Sequence, residues 1–226
     1  MTDAFTVNEF VEPKTGTSHR VYTYKRKPCH RVLLTSRLST HLAGYSLIEK
    51  DLRSVLAWID AIDKLHVERF TGKGNHFSKS ADRSNYNVVK GLFVAALTFY
   101  GKCFSKCEGR PVKLERAQVA SQFHDLHDQC IEYRHNFAAH SGSKRIESAA
   151  IALVYPKRFK REVPFKLFRE INQPDLFWPA PADLSLAQLV THVQGIALSK
   201  IESLGGRIEA EEVTSNAARF WPVSAG

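Results

Sequence analysis

Apolar positions along the chain fall into helical stripes interrupted by one strand-like segment. Residues 1–43 show weak periodicity, which fits an arm or short strands. Beyond them, Leu52, Val55, Leu56, Ile59 and Ile62 recur at the three- and four-residue spacing that lines one face of a helix. Ser46 stands three residues before Glu49, the capping-box spacing that satisfies two otherwise unpaired amide donors. The pair predicts a helix opening there and fading near Val67. The polar run over residues 71–85 predicts a loop, and its GKG lacks the GxxxxGK[ST] spacing of a phosphate loop. A second stripe, from Val89 through Phe93, Leu97 and Tyr100 to Phe104 and Cys107, predicts a helix over 86–106. Gly109-Arg110-Pro111 breaks it. A third helix is predicted from Leu114 to His140, closed by Ser141-Gly142 as a glycine cap would close it.

After residue 143 the pattern changes. AIALVYP (150–156) and VPFKLFREI (163–171) have the short apolar character of strands and predict a hairpin. Pro174, Pro179 and Pro181 punctuate the connection that follows. Ser185 and Gln188 repeat the capping-box spacing before a stripe running from Leu186 and Leu189 to Ile201 and Leu204, which Gly205-Gly206 should end. The expected architecture is mainly α: a helical bundle with a small β-hairpin insertion before a C-terminal helix. The expected organisation is a basic N-terminal arm over 1–43 and a helical domain over 44–226. That domain divides into motif-bearing helices (44–143), the hairpin and proline-rich connection (145–182) and the last helix (183–206).

Composition narrows the class. The 226 residues are 43% hydrophobic and 24% charged, which supports a packed core and argues against disorder. No apolar run reaches the roughly 18 residues of a membrane span, and the N-terminus lacks a signal-peptide pattern, so no membrane partner is expected. Cys29, Cys103, Cys107 and Cys130 have neither disulfide-framework nor CxxC spacing and read as reduced thiols of a cytoplasmic protein. Net charge is +9, and it is concentrated. No acid occurs from Pro13 to Ile48, where Lys25, Arg26 and Lys27 cluster, and Lys157, Arg158, Lys160 and Arg161 form a second run. Two basic runs point to a polyanion such as RNA, although ordinary solubility charge has the same composition.

The end of the third helix carries the most chemistry. With Phe123 as origin on a wheel of about 100° per residue, Leu126, Cys130 and Phe137 fall within about 60° on one side. Arg134 lies only about 20° away on the other, on the face that should be packed. An unpaired buried guanidinium costs several kcal/mol, so Arg134 must meet an anion, line a cleft or sit at a subunit interface. His140 projects about 120° from Arg134, on the side of Asn136. The two would converge where the helix end unwinds, or across a two-fold axis with a second copy. A helix-cap histidine with a buried ion pair would give the same pattern. His124 and His127 stand at i, i+3 near Asp125 and Asp128 but lack a third ligand, so no metal site is expected.

R-H-N-F-A-A-H at 134–140 resembles the Rx4–6H motif of the HEPN superfamily (higher eukaryotes and prokaryotes nucleotide-binding domains), with the polar His135 directly after the arginine. The resemblance implies a helical homodimer whose composite cleft cuts RNA without metal or other cofactor, as in toxin, anti-phage and RNA-decay proteins. An antitoxin or other regulatory protein is then a possible partner. Some relatives carry a regulatory tyrosine two positions after the histidine, where this chain has Gly142. In such a site His140 would serve as acid and base, Arg134 as phosphate clamp and Asn136 as the orienting residue, with His135 a weaker candidate. The alternatives are a non-catalytic RNA- or DNA-binding helical dimer and a purely structural one.

Overall fold

A computed structural model describes residues 4–70, 84–135, 148–158, 163–172 and 184–220. The chain divides into two compact units, Met1–Ser39 with Arg207–Gly226, and Thr40–Gly206.

The first unit contains a three-stranded antiparallel sheet where an arm or short strands were expected. Strand β1 (Phe5–Val11) pairs with β2 (Ser18–Tyr24), and β2 pairs with the two-residue β3 (Lys27–Pro28). Lys25 and Arg26 join β2 to β3 with φ of 47° and 65°. A two-residue hairpin turn with both φ positive matches the right-handed twist of its strands, but it favours Asn-Gly. Holding two ordinary side chains there costs about 1–3 kcal/mol each. The C-terminal part of this unit is a π-helical segment (Ile208–Val213), a 3-10 turn and a short helix at Ala217–Phe220.

The second unit is the expected bundle. Helix α1 (Arg37–Phe70) starts well before Ser46. Its cap is Ser36, whose Oγ accepts the Ser39 amide at 3.0 Å, whereas Ser46 sits inside the helix and donates to the Leu42 carbonyl. Helix α2 spans Ser84–Cys103. Two 3-10 turns, Arg116–Gln118 and Ser121–Phe123, precede helix α3 (His124–Tyr133), so the third helix opens later than the expected Leu114, and its expected close at His140 and Ser141-Gly142 lies outside the described residues. Strands β4 (Ser148–Val154) and β5 (Lys166–Asn172) form the expected antiparallel hairpin, with Leu153 opposite Leu167. Helix α4 (Leu186–Arg207) opens on the expected capping box: the Ser185 amide donates to Gln188 Oε1 at 2.6 Å, and the Gln188 amide donates to Ser185 Oγ at 3.1 Å. Gly205-Gly206 does not end it. Neither glycine takes the left-handed conformation a cap requires, and Arg207 ties onward to Glu211 at 2.8 Å.

One core joins all four helices. Ile48, Leu52 and Val55 of α1 meet Leu97, Tyr100 and Cys103 of α2, Leu126 and Cys130 of α3, and Leu189, Val190 and Val193 of α4. Each such large aliphatic side chain contributes about 1.5–3 kcal/mol on full burial. The connection after α2 is drawn into the same core. Gly109, at φ +75°, turns the chain so that Leu114 donates its amide to the Cys103 carbonyl at 2.9 Å and is itself buried. Inside this framework lies a carboxylate that the apolar stripe conceals. Asp51, 1% exposed, pairs with Arg110 at 3.4 Å, Lys102 at 3.2 Å and Lys50 at 3.3 Å. Among the described residues no helix is long and apolar enough to cross a membrane.

Candidate functional site

The ends of α2 and α3 meet at a glycine. Gly101 is buried, and a Cβ placed on it would overlap Arg134 Cδ and lie 3.1 Å from Arg134 Nε and 3.3 Å from Cγ. The absence of a side chain there is what lets the arginine cross the helix. Arg134 is half-buried, and its Nη1 donates to Ser105 Oγ at 2.9 Å. Ser105 Oγ in turn donates to the Gly101 carbonyl at 2.9 Å, so the acceptor that holds the guanidinium is itself held. Among the described residues Arg134 forms no ion pair. The expected packed-face position is therefore correct, and the shelf of Gly101 and Ser105 is what occupies that face. Residues 134 and 135 continue α3 with the wider π spacing, an arrangement frequent at functional sites. His135 is exposed. Asn136, Phe137 and His140 lie outside the described residues.

Beneath this shelf α3 is tied to α2 by a buried polar pair. His127, 3% exposed, has Nδ1 2.8 Å from Tyr100 Oη, and its ring meets Phe104 edge-on at 4.5 Å. Burial lowers the His127 pKa and raises that of Tyr100, so both are neutral at pH 7. The phenol then donates to Nδ1, which leaves the ring proton on Nε2. Two of the other candidate metal ligands, His124 and Asp128, are also engaged. His124 Nε2 donates to the Val119 carbonyl at 2.9 Å, and Asp128 accepts two bonds from Arg116, each 2.7 Å. The Arg116 hydrogen bonds hold the Asp128 carboxyl below its ordinary range. Among the described residues no three His, Cys, Asp or Glu side chains gather as a metal site.

The basic residues are found in two places. Lys25, Arg26 and Lys27 form the β2–β3 turn and its exit, exposed, with Lys25 Nζ over the Tyr24 ring at 5.3 Å. Lys157 and Arg158 follow β4 and are exposed, while Lys160 and Arg161 lie outside the described residues. Gly101 and Ser105 were not singled out in the sequence. Sequence alone does not distinguish Gly101 from Gly91 of the same helix, where an added Cβ would meet nothing within 4 Å. His192 of α4 likewise stands in no recognisable motif. Its Nε2 accepts the Ala120 amide at 3.0 Å and its ring stacks on Phe123, which anchors the 3-10 turns to α4.

No protein-family model, curated protein or solved structure matches the chain.

Proposed function

We propose that this chain is a metal-independent endoribonuclease of the HEPN type, acting as a homodimer in a toxin, anti-phage or stress setting. Arg134 carries the proposal. A half-buried guanidinium with no carboxylate partner among the described residues, braced by Ser105, is a group prepared for an external anion. Its planar fork matches phosphate oxygens and can stabilise the charge of a pentacoordinate phosphorus.

In this chemistry RNA supplies the nucleophile. His140 of one copy takes the proton of the 2′-OH, the 2′-oxygen attacks phosphorus, and the bond to the 5′-oxygen breaks. An imidazolium returns a proton to that leaving oxygen, which a second His140 across the two-fold axis could provide. The products are a 2′,3′-cyclic phosphate and a 5′-hydroxyl. Asn136 orients the histidine or the phosphate, and His135 stands beside the cleft. The test is cleavage of a mixed RNA pool in EDTA with analysis of the new ends. His140→Ala is expected to lose on the order of 10²–10⁴-fold in rate. Wild type that cuts nothing, with dimerisation verified by light scattering, refutes the proposal.

A second reading is favoured by a separate observation. The Lys25-Arg26-Lys27 turn offers three exposed cations with no acidic partner among the described residues, which suits a non-catalytic nucleic-acid-binding protein. RNA binding that persists without cleavage selects it.

A further inference from the structure

The sheet of the first unit has an aromatic end, and the strained basic turn sits at that end. Register places Phe5 opposite Tyr24 and Val7 opposite Tyr22 on one face. The Phe5 and Tyr24 rings lie 4.6 Å apart with 43° between their planes, and the side chains remain 58% and 40% exposed. An aromatic pair packed as core would be covered. The Lys25 amide donates to the Ala4 carbonyl at 3.0 Å, which fixes the turn beside Phe5. Further along the same face Glu9 neutralises Arg20 at 3.1 Å, whereas the β2–β3 turn gathers three adjacent exposed cations.

We infer that this face docks single-stranded nucleic acid, with bases stacked on Phe5 and Tyr24 and the backbone phosphates on Lys25, Arg26 and Lys27. The inference rests on the nucleic-acid reading of the protein and not on cleavage. Charge chooses the occupant: a face edged by three cations repels a basic protein and attracts a polyanion. The rings choose the strand state, because bases stack on an aromatic surface only where they are unpaired and splayed. Lys25 over Tyr24 does not block the surface. A cation over an exposed ring is the weaker contact and yields to a stacked base, leaving its ammonium at the ring edge near that nucleotide's phosphate. The turn is also the place where sequence and backbone disagree. Asn-Gly would suit its two positive φ angles, and Lys-Arg stands there instead.

That disagreement supplies the test. The double variant Lys25→Asn/Arg26→Gly keeps the preferred hairpin chemistry while removing two charges, so the sheet folds at least as well. Binding is measured on the full chain by fluorescence anisotropy, using an uncleavable 2′-O-methyl single strand and its duplex across a salt series. Wild type is expected to prefer the single strand. The double variant should flatten the slope of log affinity against log salt by about 1.4, two phosphate contacts at roughly 0.7 each. Phe5→Leu and Tyr24→Leu should each weaken single-strand binding about fivefold or more at unchanged slope. An unchanged slope in the turn variant overturns the inference, and unchanged affinity in both ring variants overturns the stacking surface. Sheet variants that alter only the molar mass in light scattering assign the face to a protein partner and overturn it as well. Wild type that binds the single strand yet never cuts ordinary RNA defeats the ribonuclease proposal and leaves this one standing. Cleavage with KM unchanged in all these variants does the reverse.

Discussion

Replacing Gly101 with alanine separates what Arg134 does for the fold from what it does for chemistry. The new Cβ overlaps Arg134 Cδ and lies within 3.3 Å of Cγ and Nε, whereas carbon atoms in contact rest at about 3.5–4.0 Å. The side chain must retreat by roughly 1 Å, and it can, because it is flexible and only half-buried. Against that small steric term stands the gain of alanine over glycine in a helix, up to about 1 kcal/mol and less in a final turn. Thermal unfolding followed by circular dichroism should therefore show Tm unchanged or raised by about 2–4 °C. Cleavage should respond in the opposite direction. If Arg134 is the phosphate clamp proposed above, moving it by about 1 Å costs on the order of 10²-fold in kcat/KM. The Ser105→Ala variant should share the loss in part, since it frees the guanidinium without displacing it. A Tm that falls by several degrees with cleavage unaltered would refute the reasoning, because Arg134 would then be packing and nothing more.

Other outcomes follow from the buried polar groups. Asp51→Ala should lose about 3–5 kcal/mol by stranding Arg110, a Tm drop of roughly 6–20 °C, and Asp51→Leu/Arg110→Met should recover at least half of it; a single variant within 1 kcal/mol of wild type contradicts this. His127 has a folded pKa below its unfolded value near 6.5, so its stabilisation is complete above about pH 6.5 and declines as pH falls below it. Tm against pH should show that decline, and His127→Gln should flatten it; an equal slope in both proteins assigns the acid sensitivity elsewhere. Burial pushes the Cys103 thiol up to about 12 and raises Cys130 as well, so in the native state iodoacetamide should label Cys29 while sparing these two. Rapid labelling of Cys103 would mean that α2 opens readily.

Much of the bundle was legible because one force dominated locally. The stripes of α2 and α4 match their buried faces, and the Ser185–Gln188 box forms as spacing requires. The start of α1 departs from the expected Ser46 because Ser36 is followed by Ser39 rather than by Glu or Gln, so the true cap does not fit the capping-box pattern. The stretch before α3 has good helix formers, yet one distant and one nearby side chain claim its backbone. His192 takes the Ala120 amide and His124 takes the Val119 carbonyl, and two 3-10 turns result. No local pattern carries that information. The N-terminal strands were faint because both sheet faces are largely exposed, which removes the polar–apolar alternation that marks a half-buried strand. At the candidate site the arginine was legible and its support was not. An aspartate within an apolar stripe, like a glycine within a helix, gains meaning only from what lies across from it.

The core also imposes an order of events during synthesis. The Gly101–Arg134 shelf is complete in the chain by residue 134, but Leu189, Val190 and Val193 arrive more than fifty residues later. Until they emerge, Leu52, Val55 and Tyr100 lack the fourth wall of their enclosure, and Glu49 lacks Gln194, which reaches it from 145 residues away at 3.0 Å. Closing so distant a contact is slow. A nascent chain thus carries Gly101 and Arg134 well before the bundle beneath them can set.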